Sequence, residues 1–207
     1  MNQIILGSIA LSFIHALIPS HWLPFITIGK AQGWDLPHIL KTTFLAGLAH
    51  TGSTTIFGLL ASFAGFQLSN NQHTISSTVV PVLLLILGLW FVMQHYRAHD
   101  HNHIDGKVMN GKKTYKQLLF SLVIMMFLSP CFEISAYFLS AGAMGWPAVA
   151  TVIVIYNLLT ITGMLIMVGL GHHGIKRLNI YWLQHNEQLI TGLTLICLAV
   201  FNFFTEL

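Results

Sequence analysis

The chain has 207 residues, of which 55% are hydrophobic and only 7% charged, and it carries a formal net charge of +3. So few charges exclude a soluble domain of ordinary composition, where about a quarter of the residues are charged, and the length leaves room for one membrane-embedded unit without an attached catalytic domain. The positive balance does not point to nucleic acid, because the basic residues gather beside the ends of apolar stretches, where they act as topology signals.

Read with a window of about 19 residues, the sequence predicts an all-α integral membrane protein with six transmembrane helices. They lie near residues 3–28, 38–64, 78–96, 116–141, 147–170 and 188–206. The opening stretch MNQIILGSIALSF lacks a basic n-region and a small-residue cleavage site, so it reads as a retained first span rather than a removed signal peptide. Gly, Asn, Pro and His mark the connections. With six spans, the first, third and fifth connections share one side, and all nine Lys and Arg fall there: Lys30, Lys41, Arg97, Lys107, Lys112, Lys113, Lys116, Lys176 and Arg177. The positive-inside rule then predicts cytoplasmic loops on that side of a bacterial inner membrane, with both termini outside. Trp34, Trp146 and Trp182 stand near span ends, as an interfacial belt requires. Cys131 and Cys197 both lie in apolar segments and give no disulfide framework.

The two halves share a pattern. Pro19 and Pro130, Thr51 and Thr162, and Gly52 and Gly163 stand at one common offset, and a one-residue slip pairs Gly33-Trp34 with Gly145-Trp146. The expected organisation is a first three-helix repeat over 1–96, a His-rich cytoplasmic loop over 97–115 and a second three-helix repeat over 116–207. Three is odd, so the second repeat would be inverted, with Pro-broken first helices meeting near the midplane as in many secondary transporters.

The prolines carry the chemistry of this expectation. A proline in a helix interior lacks an N–H and collides with the carbonyl four residues back, so Pro19 frees the carbonyl of His15 and Pro130 that of Met126. In hydrocarbon a freed carbonyl must be satisfied by another helix, a water or a ligand. The stretch HALIPSH sets His15 and His21 on either side of Pro19. On an unbroken helix a six-residue offset separates two side chains by about 9 Å of rise and roughly 120°, too far to share an ion; a break can bring them together. His50 in the second span, with Cys131 and Glu133 just after Pro130, falls at a similar depth, and Ser20 and Asn157 add neutral polar groups. Ionisable groups placed so deep usually mark ion or substrate paths. Imidazole suits nickel, cobalt, zinc and iron, and a carboxylate adds charge or accepts a proton. The expected metal site is therefore His15, His21, His50, Glu133 and Cys131, with Ser20 and Asn157 as polar support.

HALIPSH resembles the His, four residues, Asp, His signature of the nickel/cobalt permease superfamily, and resembles more closely the His-Ala-Leu-x-Pro-x-His form of its NicO-type and urease-accessory-like membrane transporters. GLAHTG around His50 and SPC at Ser129 to Cys131 support the resemblance, which covers the motif helices and the six-span layout. It implies transport of a divalent transition metal, nickel or cobalt, with binding roles at His15, His21 and His50. The chain departs from the signature where Ser20 replaces its aspartate, and from the NicO-like form where Ile18 replaces an acid. Glu133 is the expected replacement for the missing charge.

A second set of histidines, His95, His99, His101 and His103 with Asp100 and Asp105, lies in the third connection, and His172 and His173 close the fifth span. These offer loop capture of metal on the cytoplasmic side. No P-loop is present, so transport would draw on ion gradients or a partner. The partners expected are the lipid bilayer and the metal ion, with a homodimer compatible with so short a chain. Two other classes use the same residues. An intramembrane metalloenzyme would employ His15, His21 and His50 with Glu133 as base, although the H-E-x-x-H spacing is absent. A thiol-disulfide carrier would need Cys131 and Cys197 to meet.

Overall fold

The computed structural model describes residues 2–98, 114–173, 182 and 185–205, and every regular element among them is helical. The chain opens with α1 (Asn2–Leu17), passes through a single 3-10 turn (Pro19–His21) and resumes as α2 (Leu23–Ala31). Then come α3 (Leu36–Gln67) and α4 (Val80–Ala98), the latter entered through a π-helical turn over Ile75–Val79. The second half holds α5 (Tyr115–Phe127), α6 (Ser135–Met144), α7 (Trp146–His172) and α8 (Glu187–Thr205).

Four helical stretches are long and apolar enough to cross a membrane: Leu36–Gln67, Ser69–Arg97, Trp146–His172 and Glu187–Phe204. Ile4–Leu17 and Tyr115–Phe127 are apolar but shorter. The two segments expected near 3–28 and 116–141 are thus each interrupted, and the interruptions sit at Pro19 and Pro130. The residue before a proline is pushed out of the α region. Ile18 accordingly adopts φ −63° and ψ 123°, which ends α1. The indole of the fully buried Trp22 folds back and donates Nε1–H to the carbonyl of Leu17 at 3.1 Å, satisfying one acceptor that the break exposes. In the second half α5 stops at Phe127, and residues 128–134 run outside regular α-helix before α6 begins.

Each interrupted pair ends alike. Gly33 and Gly145 have φ of 69° and 109°, a region that suits glycine, and the long helix that follows carries Pro37 or Pro147 in its first turn. Asp35 caps α3 by accepting from the His38 backbone N–H at 3.2 Å, and it also bonds the His38 ring. That side-chain bond holds the Asp35 carboxyl below the ordinary carboxylate range.

Helix α3 is the hub, packing against α5, α6 and α7, while α1 runs along α7 and α4 pairs with α8. Small residues allow the close crossings: a Cβ on Gly142 of α6 would collide with the backbone of Ser62 in α3, and Ser62 Oγ donates to the Phe138 carbonyl at 2.9 Å. One apolar core gathers Tyr137, Phe138, Val152, Tyr156 and Leu195, and a second gathers Trp22, Phe25, Ile39, Met126 and Met164. Outside, Leu60, Phe63, Ile86, Leu158 and Phe204 are all more than half exposed. So continuous an apolar exterior suits acyl chains rather than water.

Candidate metal centre

Three segments bring four ligand atoms together. His15 lies two residues from the end of α1, and His21 closes the 3-10 turn beyond Pro19. His50 projects from the middle of α3, and Cys131 follows Pro130 in the interruption between α5 and α6. His15 and His50 are buried, at 4% and 0% exposure; His21 and Cys131 are half-buried. One ligand atom from each of the four lies within 4.8 Å of all the others. The turn at Pro19 sets the His15 and His21 rings 4.3 Å apart between centroids, with the His21 ring 4.9 Å from that of His50.

Four of the six edges of this group, those among His15, His50 and Cys131 and the one from His21 to Cys131, have the size of edges of a coordination tetrahedron. Bonds of about 2.0 to 2.1 Å to nitrogen and 2.3 Å to sulfur, at tetrahedral angles, give N···N edges near ~3.4 Å and N···S edges near ~3.6 Å. The Nε2 atoms of His15 and His50 are 3.4 Å apart. Cys131 Sγ lies 3.2 Å from His15 Nε2, 3.6 Å from His21 Nε2 and 3.5 Å from His50 Nε2. Three imidazole nitrogens and one sulfur form a set that zinc and its neighbours accept.

The supporting bonds orient these ligands. His50 Nδ1 lies 3.3 Å from the Met126 carbonyl, which can only accept, so Nδ1 carries the proton and Nε2 presents its lone pair to the site. That carbonyl is the one Pro130 leaves without an i+4 donor; the Ser129 N–H approaches it at 3.4 Å. The break therefore both moves Cys131 into place and supplies the acceptor that fixes the His50 tautomer. Thr54, fully buried one turn beyond His50, accepts from the Cys131 backbone N–H at 3.1 Å and anchors the second break to α3. Ser20 Oγ is 3.3 Å from His21 Nδ1 and steadies that ring.

Other expected residues fall elsewhere. Glu133 lies outside the four-atom group but touches it, its carboxylate bonding the Cys131 side chain; it is 8% exposed and lines the adjoining cavity, and its Oε2 has no hydrogen-bond partner among the described residues. Asn157 donates to Thr55 Oγ1 at 3.1 Å and to the Ile153 carbonyl at 2.8 Å, tying α7 to α3. His95 is buried at the end of α4, with its ring 5.9 Å from that of His185. The rings of His172 and His173 meet edge to face at the end of α7, with centroids 5.7 Å apart. His99, His101 and His103 lie outside the described residues.

Three contributors escaped the reading of the sequence. Thr54 is one hydroxyl among many on α3. Tyr156 places its ring 6.3 Å from that of His15, but its alternating apolar neighbours mark it only as core. Glu187 opens α8 and lines the same cavity as Glu133; the signal available was its rarity, as one of six acids in the chain. Buried hydroxyls lie on the helices that carry the ligands. Ser8 and Ser12 share the His15 face of α1 and Thr51 adjoins His50; none has a hydrogen-bond partner among the described residues.

Compared with known proteins, the chain matches no family model, no curated protein and no solved structure.

Proposed function

We propose that the chain is a membrane permease for a divalent first-row transition metal, which passes by alternating access through the site formed by His15, His21, His50 and Cys131. One observation carries the reading: three nitrogens and a sulfur from three separate segments lie within 4.8 Å of one another, four of their six separations at the length of a tetrahedral edge. The ion is the cargo. A tetrahedral set of three nitrogens and one sulfur favours zinc or cobalt over nickel, whose preference is for square-planar or tetragonal fields, and this narrows the nickel/cobalt expectation.

The closed ligand set supports carriage rather than hydrolysis. Hydrolytic zinc sites hold three protein ligands and keep the fourth position for water. Here four protein ligands are available, and two of the three contributing segments are interruptions in helices. Movement at either interruption separates its ligands from His50, which sits in the uninterrupted α3. A thiol-disulfide relay gains no such support, since Cys197 is exposed on α8 while Cys131 stands among the imidazoles.

In this reading the interrupted segments complete a six-span protein built from two inverted three-helix repeats. The support is the recurrence of a proline break, a short helix, a glycine with positive φ and a long helix with proline in its first turn. The distribution of basic residues supports a third connection on the cytoplasmic side of a bacterial inner membrane, with both termini outside.

Purified protein in liposomes loaded with a metal-sensitive dye tests the proposal. Zinc or cobalt entry above that of empty liposomes, abolished in Cys131→Ser protein that keeps its helix content, is the expected result. Wild-type flux equal to that of empty liposomes, or undiminished flux in Cys131→Ser, would refute it.

A further inference from the structure

Ser20 stands at the first break with two polar groups to place. It follows Pro19 in the 3-10 turn Pro19–His21, and the leading N–H groups of such a turn have no partner within it. Proline brings no N–H, so the first orphan donor of the turn is that of Ser20. Its hydroxyl oxygen lies 3.3 Å from His21 Nδ1.

Glu187 meets both groups from the other half of the chain. It opens α8, and its carboxylate accepts from the Ser20 backbone N–H and from the Ser20 side chain. Glu187 is half-buried in the wall of a cavity of about 500 Å³ that Ser20, His21 and Cys131 also line. An ionised carboxylate only accepts, so the bond between the two side chains uses the one hydroxyl hydrogen of Ser20. The Ser20 oxygen is left with lone pairs to offer His21, and Nδ1 must supply the proton. The His21 ring also bonds the Ile18 carbonyl, an acceptor it shares with the His21 backbone N–H at 3.1 Å. Both partners accept, so the ring keeps its proton on the nitrogen turned away from the thiol. The other nitrogen, Nε2, lies 3.6 Å from Cys131 Sγ.

We propose that Glu187 is a positioning residue for the metal centre: through Ser20 it fixes the proton on His21 Nδ1 and presents His21 Nε2 to the ion. Outer partners of this kind set the tautomer and raise the basicity of a ligating imidazole. Glu187 does for His21 what the Met126 carbonyl does for His50. The two supports differ in origin. The Met126 carbonyl ends the helix just before the second break, whereas Glu187 comes from α8, which pairs with α4 and carries no ligand. The seating of α8 against the first interruption therefore governs one ligand of the four, while His50 and Cys131 keep their own bonds to Met126 and Thr54. The bearing on passage rests on the permease reading; the setting of the His21 tautomer does not.

Full-length protein in lipid nanodiscs, carrying isotope-labelled histidine, tests this by magnetic resonance and by cobalt titration. In metal-free protein the His21 ring nitrogens, assigned by their absence in His21→Gln, are expected in the Nδ1–H form. Glu187→Ala and Ser20→Ala are each expected to shift them toward Nε2–H, a change that a merely structural role would not produce. Cobalt is read by thiolate-to-metal absorption from Cys131. Glu187→Ala is expected to weaken cobalt binding about tenfold or more, with the absorption at saturation retained, which shows that the variant is folded. The double variant is expected to lose no more than the weaker-binding single, because the two residues act in one chain. An Nε2–H form in wild-type protein, tautomers unmoved by Glu187→Ala, or fully additive losses of cobalt affinity would overturn the proposal. A Glu187-dependent tautomer in wild-type protein that takes up no cobalt would uphold the positioning of His21 and remove the metal site.

Discussion

His50 shows how much of the centre hangs on single contacts. Its Nδ1 is committed to the Met126 carbonyl and its Nε2 is turned toward His15 and Cys131, so one backbone acceptor decides which nitrogen can bind metal. Trp22 performs the matching task at the first break, where its indole N–H holds the Leu17 carbonyl and its ring fills the second core. Replacing Trp22 with Phe keeps most of the apolar volume and removes that donor. The expected cost is about 1 to 3 kcal/mol of stability, from an acceptor left unsatisfied inside the protein, together with weaker zinc binding because His21 is the preceding residue. Denaturation in detergent and zinc titration measure the two effects, and wild-type values in both would contradict this role. At this scale the sequence was partly readable. His15, His21 and His50 stand out because imidazoles are rare in so apolar a context, and Cys131 because it follows a proline. Thr54 and Tyr156 do not, because their parts depend on neighbours roughly 80 to 140 positions away in the chain that only folding brings near.

The decisive elements are the two interrupted helices. A proline at the right place predicts a break, and both breaks were legible for that reason. Their shape was not. Whether a break is a kink or a multi-residue turn depends on what captures the released carbonyls, and here Trp22 and His50 do so from outside the helices concerned. This gives a test in Pro130→Ala. The new N–H at position 130 can bond the Met126 carbonyl, prolong α5 and compete with His50 for its acceptor, while Cys131 rotates with the lengthened helix. Helix content by circular dichroism is expected to rise slightly, and zinc affinity to fall by at least the ~10 to 100-fold typical of lost supporting bonds. Unchanged affinity would mean that the proline does not position the ligands. The capping of α3 responds to acid in a defined direction. The bond from His38 lowers the folded-state pKa of Asp35, so its contribution is complete above the unfolded carboxylate value and fades as pH falls through the lowered one. The protection of the His38 amide, its exchange relative to the intrinsic rate at each pH, is expected to fall in that low range on acidification and to stay constant if the cap is inconsequential.

The whole molecule places a small polar centre inside an apolar shell. α3 carries His50, the segments around the two interruptions carry the other three ligand residues, and a cavity lined in part by Glu133 and Glu187 adjoins them. Composition alone made the helical, membrane-type character plain, whereas the cavity beside the ligands was invisible because Glu133 and Glu187 in its wall lie more than fifty residues apart in the sequence. The central claim is that one ion shares three imidazoles and one thiolate. X-ray absorption at the metal edge of zinc-loaded protein tests it most directly. The expected coordination sphere has three nitrogen scatterers at about 2.0 to 2.1 Å and one sulfur at about 2.3 Å, with the sulfur lost in Cys131→Ser. A sphere of nitrogen and oxygen without sulfur in the wild-type protein would contradict it.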